Sequence, residues 1–174
     1  MPDLRQMAQD ADLHRSVIRA GDDPARCPLF KFLDGWYPGR ADLRLLEIGT
    51  CRGVSAALLA QRGAVVTLDL NHKPQVEQNL AAFGVTGAGR VVCLYGDPAT
   101  ARAQVAGRFD AAFIDGEHSY AAVREDIRFA RQFTDRIILH DYFPRFAGVM
   151  KAINEAGRTA RRFTTDGIFA ALEF

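Results

Sequence analysis

Two short apolar runs end in side chains that can move a proton or hold a cation. Ala111–Ile114 leads into Asp115-Gly116-Glu117-His118, and Arg136–His140 ends in His140-Asp141-Tyr142. Carboxylates beside imidazoles suit two kinds of chemistry. A carboxylate can orient a histidine as a general base, which fits His140 beside Asp141 and also His118, placed just ahead of a helix. Alternatively, Asp115 and Asp141 can share Mg²⁺ or another hard divalent ion, with His140 or Glu117 and waters completing the shell. His140 also has a plainer reading as a core histidine with its hydrogen bonds satisfied.

Three further apolar runs end in comparable groups: Glu47-Ile48-Gly49-Thr50-Cys51-Arg52-Gly53-Val54-Ser55, then Asp69, then Gly96-Asp97-Pro98. Glycines at 49 and 53 allow a tight strand-to-helix turn and close approach of a ligand to the backbone. The spacing is G-x-x-x-G. A dinucleotide fingerprint needs G-x-G-x-x-G, but Cys51 and Val54 occupy its second and third glycine positions. Glu47 suits an amine-bearing ligand better than a phosphate. Asp69 follows Gly49 by 20 residues, the place of an acidic side chain that takes both ribose hydroxyls. Together these residues favour a nucleoside with a charged, phosphate-free tail. Asp69 and Asp97 also fit as helix N-caps, and the two glycines as turn residues alone.

The elements that must position these groups alternate. Strands are predicted at Arg44–Ile48, Val65–Asp69, Val91–Tyr95, Ala111–Ile114 and Arg136–His140, with helices near Val54–Gln61, Pro74–Phe83, Ala99–Val105, Tyr120–Gln132 and Ala147–Ala156. This is the texture of a parallel sheet with crossover helices, whose ligands bind at the carboxyl ends of the strands. Arg161–Thr164 and Gly167–Phe174 are joined too tightly for a crossover and predict a terminal antiparallel hairpin turning at Asp166-Gly167. The fold class is therefore α/β, a Rossmann-like three-layer sandwich. Residues 3–20 predict an N-terminal helix, so residues 1–40 read as a helical extension or cap and 41–174 as the nucleoside-binding domain. Trp36 and Tyr37, with Tyr142, Phe143 and Phe146, can wall an apolar acceptor site; the alternative for the aromatics of residues 30–37 is the core of the cap.

At 174 residues, 48% hydrophobic and 25% charged, the chain suits one core. Its 22 basic and 21 acidic side chains nearly cancel, which disfavours nucleic acid or an anionic membrane as partner. Cys27, Cys51 and Cys93 are too few and too scattered for a disulfide framework, and neither a secretory h-region nor a membrane span is visible, so the expected location is the cytoplasm.

Glu47–Ser55, Asp69, Gly96-Asp97 and Asp115 together resemble the motifs of class I S-adenosylmethionine-dependent methyltransferases over residues 43–174. Phe113–Ile127 followed by Ile138–Tyr142 is similar to a small-molecule group that includes macrocin-type O-methyltransferases and cephalosporin hydroxylase-like proteins. The resemblance implies S-adenosylmethionine as cofactor and methylation of a small molecule at oxygen. It also implies a cofactor site of Glu47, Gly49, Thr50, Cys51, Gly53, Ser55, Asp69, Leu70, Gly96, Asp97, Pro98, Asp115 and His118. In that site Glu47, Gly49 and Gly53 line the methionine part, Ser55 meets its carboxylate and Asp69 grips the ribose. Asp97 meets the adenine amine, while Leu70 and Pro98 flank the ring. Catalysis falls to His140, Asp141 and His118, and a metal to Asp115, Asp141 and His140. Related metal-dependent enzymes often have two acidic residues where this chain has His140-Asp141, and Cys51 and Arg52 replace small residues in the loop. The acceptor site is left to residues 1–40, the Tyr142–Phe146 loop or a neighbouring subunit, which makes a homo-oligomer compatible. Two other readings are a methyltransferase-like module without turnover and, against the missing glycine fingerprint, an NAD-dependent oxidoreductase.

Overall fold

Seven strands form one sheet in the order β3-β2-β1-β4-β5-β7-β6, and this order decides where the chemistry falls. The computed structural model describes residues 28–85 and 89–174; the helix expected over residues 3–20 lies outside them. The strands are β1 Leu43–Ile48, β2 Gly63–Asp69, β3 Val91–Tyr95, β4 Ala111–Ile114, β5 Arg136–Leu139, β6 Arg162–Thr165 and β7 Ala170–Glu173. The helices are α1 Pro28–Trp36, α2 Val54–Leu59, α3 Gln75–Ala82, α4 Pro98–Ala103, α5 Tyr120–Ala130 and α6 Ala147–Gly157. β1 to β5 run parallel, and β7 inserts antiparallel between β5 and β6.

Period-two alternation splits the core between the two faces of the sheet. Leu46, Ile48, Leu68, Ile114 and Leu139 pack with Ala101 of α4, Ile127 of α5 and Ile153 of α6. On the other face Leu45, Val65, Phe113 and Ile138 pack with Leu29 and Leu33 of α1 and Leu58 of α2. The central strands are buried on both sides, hence the unbroken apolar runs of the sequence. β6 is exposed at every residue, as an edge strand is.

The reversal of strand order lies between β1 and β4, and ligands of such sheets bind in the crevice above it. Gly49 and the start of the β4 loop meet there. Gly49 has φ +103°, and a Cβ on it would lie 2.1 Å from the Asp115 carbonyl oxygen. Gly53 has φ +78°, and a Cβ there would press on Val76 of α3 at 3.0 Å. Gly49 is thus required by contact between chain segments, and Gly53 by its left-handed backbone beside α3, which adds to the ligand approach expected from the sequence.

Several boundaries shift for local reasons. β2 starts at Gly63, not Val65, because its backbone passes so near Leu43 that a Cβ would fall 1.7 Å from the Leu43 carbonyl oxygen. β5 stops one residue before His140, where Asp141 turns left-handed at φ 60°. β7 begins at Ala170, not Gly167, because residues 166–169 are taken up by the turn: Asp166 Oδ1 accepts the Ile168 and Phe169 N–H groups. Trp36 and Tyr37 do not reach an acceptor wall. Tyr37 donates to the Asp110 carbonyl ahead of β4 and accepts from Arg136 at the start of β5, the end of the sheet opposite the strand-end loops.

Gly49→Ala combines a disfavoured φ with a backbone collision and should cost ~3 kcal/mol or more in urea denaturation. An unchanged midpoint would refute the close approach.

Candidate active site

A cleft of about 550 Å³ opens above the β1–β4 reversal, bounded by the loops after β1, β2, β3 and β4. Gly49, Cys51, Asp69, Leu70, Gly96, Pro98, Asp115 and His118 of the expected set line it. Glu47, Thr50 and Ser55 do not; they are buried beneath its floor. Asp97 is absent from the walls as well, and Gly53 is set back against α3.

Asp69 ends β2 with its carboxylate braced across the cleft. Its Oδ2 accepts the Cys51 N–H at 2.7 Å and its Oδ1 the Asn71 N–H at 3.2 Å. Cys51 reaches this position only by adopting φ 47°, unusual for a residue with a Cβ. Leu70, next in sequence, stays exposed and offers an apolar flank. Asp97 caps α4, its Oδ1 accepting the Ala99 and Thr100 N–H groups, and the Thr100 hydroxyl together with these N–H groups holds its carboxyl below the usual range.

Beneath the β1 loop three side chains form a hydroxyl chain. Thr67 donates to Glu47 Oε2, so the Thr50 hydroxyl, 2.6 Å from that of Thr67, is left to donate to Thr67. Glu47 Oε1 is buried without a hydrogen-bond partner among the described residues. Burial pushes the Glu47 carboxyl up to about 7, the neighbouring Ser55 and Thr67 hydroxyls pulling the other way and Asp115 and Asp69 adding to the rise.

At the far side of the cleft the ends of β4 and β5 bring four titratable groups together. Asp115, His140 and Asp141, all buried, each offer a ligand atom within 4.8 Å of the others. His140 Nδ1 lies 3.1 Å from Asp115 Oδ1 and 3.5 Å from Asp141 Oδ1. Burial alone would pull this imidazole down, but the two carboxylates push it up to about 10. His118, about one-third exposed, stacks on Phe146 at 4.5 Å between ring centroids. Its Nε2 comes 2.7 Å from Asp141 Oδ2, yet off the direction a hydrogen bond needs, so both buried atoms stay without a hydrogen-bond partner. Asp115 and His118 face the cleft, and His140 and Asp141 stand behind them.

The sequence did not single out Lys73, Arg102, Glu125 or Asp126, which complete the cleft walls. Arg102 of α4 pairs with Asp126 of α5, and burial raises the Asp126 carboxyl to about 6 against the pull of Arg102. Helix interiors give no motif for such residues.

With this geometry in view, a family described as "Methyltransferase domain" matches residues 46–142, more than half of the chain. The chain belongs to this methyltransferase family. Solved structures share the fold. A candidate O-methyltransferase of Klebsiella pneumoniae is 24% identical with a TM-score of 0.67, covering 99% of this chain and 90% of that one. The O-methyltransferase of Bacillus cereus, solved in complex with SAH, is 20% identical with a TM-score of 0.64, covering 98% and 97%. Cofactor-bound Rv0187 from MTB is 23% identical with a TM-score of 0.62, covering 95% of each chain. No curated protein matches the sequence. Among the described residues of this methyltransferase, no helix is long and apolar enough to cross a membrane.

The raised Glu47 carboxyl has a definite sign. The folded protein holds a proton that the unfolded chain releases near 4.5, so stability falls as pH rises from about 4.5 to about 7. A shift of this size corresponds to on the order of 3 kcal/mol. Glu47→Gln should therefore gain on the wild type between pH 5 and pH 8 in urea denaturation, and parallel pH profiles would show that Glu47 titrates normally.

Proposed function

We propose that this methyltransferase binds S-adenosylmethionine in the cleft and transfers its methyl group to an oxygen of a small molecule. The carrying observation is the cleft itself: a braced strand-end carboxylate, Asp69, at one side and the Asp115–His118 wall at the other. Asp69 would take the ribose hydroxyls, with Leu70 and Pro98 beside the base and Gly96 leaving room for it. Gly49 and Cys51 would follow the methionine part, with Glu47, Thr50 and Ser55 holding their loop from below. The O-methyltransferase from Bacillus cereus carries SAH, and the cofactor assignment draws on that likeness.

When bound, the cofactor supplies an electrophilic methyl group on a sulfonium. The acceptor oxygen attacks the methyl carbon, the sulfur–carbon bond breaks and S-adenosylhomocysteine leaves, while the hydroxyl proton must go to a base. His118 is the base we assign, because it is about one-third exposed and lines the cleft whereas His140 is sealed and already engaged by two carboxylates. Asp141 Oδ2, 2.7 Å from His118 Nε2, stabilises the imidazolium that forms. Phe143 and Phe146, with Tyr142 nearby, place an aromatic wall beside His118 for the acceptor.

A divalent ion fits the same place. Asp115, Asp141 and His140 supply an oxygen and nitrogen donor set, and the unpartnered Asp141 Oδ2 and His118 Nε2 are the kind of orphaned atoms an ion would satisfy. Such an ion lowers the pKa of a coordinated hydroxyl. The competing arrangement keeps His140 protonated between the carboxylates. Mn²⁺ titration followed by electron paramagnetic resonance separates the two: site binding that Asp141→Asn abolishes supports the ion, and no binding leaves the imidazolium.

Calorimetric titration with S-adenosylhomocysteine should give micromolar binding, with NAD silent. Asp69→Ala should weaken it about ten-fold or more, as expected for loss of hydrogen bonds to a charged group. Equal affinity in wild type and variant would remove the ribose assignment, and no binding at all would remove the reading.

A further inference from the structure

β3 closes one side of the sheet and has β2 as its only neighbour among the described strands. The ladder between them decides which backbone groups are left over. Val65 N–H takes the Arg90 carbonyl and Gly96 N–H takes the Asp69 carbonyl, so the even-numbered residues of this stretch turn towards β2. In a strand the N–H and C=O of one residue point to the same side, and those of the next residue to the opposite side. Val91, Cys93 and Tyr95 therefore direct theirs away from the sheet, and among the described residues nothing takes them.

The two edges of the sheet are unlike. β6, at the far side, is exposed throughout and guarded by Arg162 within it and Arg161 ahead of it. β3 reads Val-Val-Cys-Leu-Tyr, without charge or proline, and Val92 is 41% exposed. An unguarded apolar edge is a template for another strand, and this one is complementary to itself. Laid antiparallel with Cys93 opposite its own counterpart, the outward groups of Val91 meet those of Tyr95 and those of Cys93 meet each other, so every outward N–H finds a C=O. Val92 falls opposite Leu94, apolar against apolar. Arg90 precedes the strand and Asp97 follows it, both exposed. An antiparallel copy brings these opposite charges to the same end, whereas a parallel copy would set like charges together.

We propose that β3 pairs with β3 of a second copy of this chain across a two-fold axis at Cys93, joining two sheets into one. Such a contact uses the same surface on both copies, so it closes at a dimer and leaves no β3 edge for a third chain. The inference does not depend on the methyltransferase reading. It places the dimer axis beside the cleft all the same, because Gly96 and Pro98, which line the cleft, follow directly on β3. One strand's width is a small interface, so the dimer should dissociate in the micromolar range.

The experiment is sedimentation velocity of the full chain across micromolar concentrations. The expected result is a species of twice the 19.2 kDa chain mass whose share grows with concentration. Cys93→Pro removes an outward N–H and leaves the ladder to β2 whole, so it should raise the dissociation constant about ten-fold or more while the circular dichroism spectrum stays that of the wild type. A second measurement holds even if the proline variant fails to fold. Directly opposed residues that exchange hydrogen bonds lie ~5.5 Å apart between Cα atoms, within reach of a disulfide. Copper–phenanthroline oxidation of the Cys27→Ser, Cys51→Ser variant should therefore yield a covalent dimer through Cys93. A chain that stays monomeric at every concentration overturns the proposal. So does a dimer that a folded Cys93→Pro variant leaves intact, or one that gives no Cys93 disulfide.

Discussion

The approach of β1's loop to the end of β4 is the constraint on which the site depends. With no room between Gly49 and the Asp115 carbonyl for even a methyl group, the two loops are locked together, and the Asp115 N–H donates to the Ile48 carbonyl at 2.8 Å. From that junction the geometry propagates outwards. The β1 loop turns back so that Gly49 N–H meets the Leu68 carbonyl and Cys51 N–H meets Asp69, tying β2's end to the same edge. On the other side His140 N–H meets the Ile114 carbonyl, so β5 delivers His140 and Asp141 beside Asp115. The cleft is what remains between these ties.

That edge concentrates negative charge, and each carboxylate is managed by a different means. Glu47 is sealed in and pushed towards protonation, Asp69 accepts backbone N–H groups, and Asp115 and Asp141 both lie against the His140 imidazole. Asp126 is held by Arg102. Titratable groups shifted as Glu47, Asp126 and His140 are, gathered around one cleft, are a signature of function more than of stability, because an apolar replacement would pack as well without the desolvation penalty. Left-handed backbone at Cys51 and Asp141, two of the residues that shape the site, belongs to the same pattern of local strain.

Much of this was legible in the residues. The alternation of short apolar runs with amphipathic stretches located every strand of the parallel sheet, and the carboxylates that end those strands fall on one edge because parallel strands share a direction. The terminal hairpin followed from a connection too short to cross over. What the sequence hid was contact across distance. Nothing in Gly49 alone says whether its missing Cβ makes room for a ligand or for Asp115. Glu47, Thr50 and Ser55 have the chemistry of ligand contacts but lie under the loop, since β1 is buried to its last residues. Trp36 and Tyr37 fitted either an acceptor wall or the core of the cap, and α1, placed across the sheet from α5 and α6, decides for the core. Arg102 and Asp126 come from two helices, and no spacing along the chain reveals a pair made between them.

Hydrogen–deuterium exchange of the full chain with and without S-adenosylhomocysteine tests most directly whether the β1–β4 junction holds the nucleoside. The expected result is new protection confined to residues 48–53, 69–73, 96–102 and 115–126, the four segments that meet around the cleft. Binding accompanied by protection elsewhere, with these segments unchanged, would contradict the site.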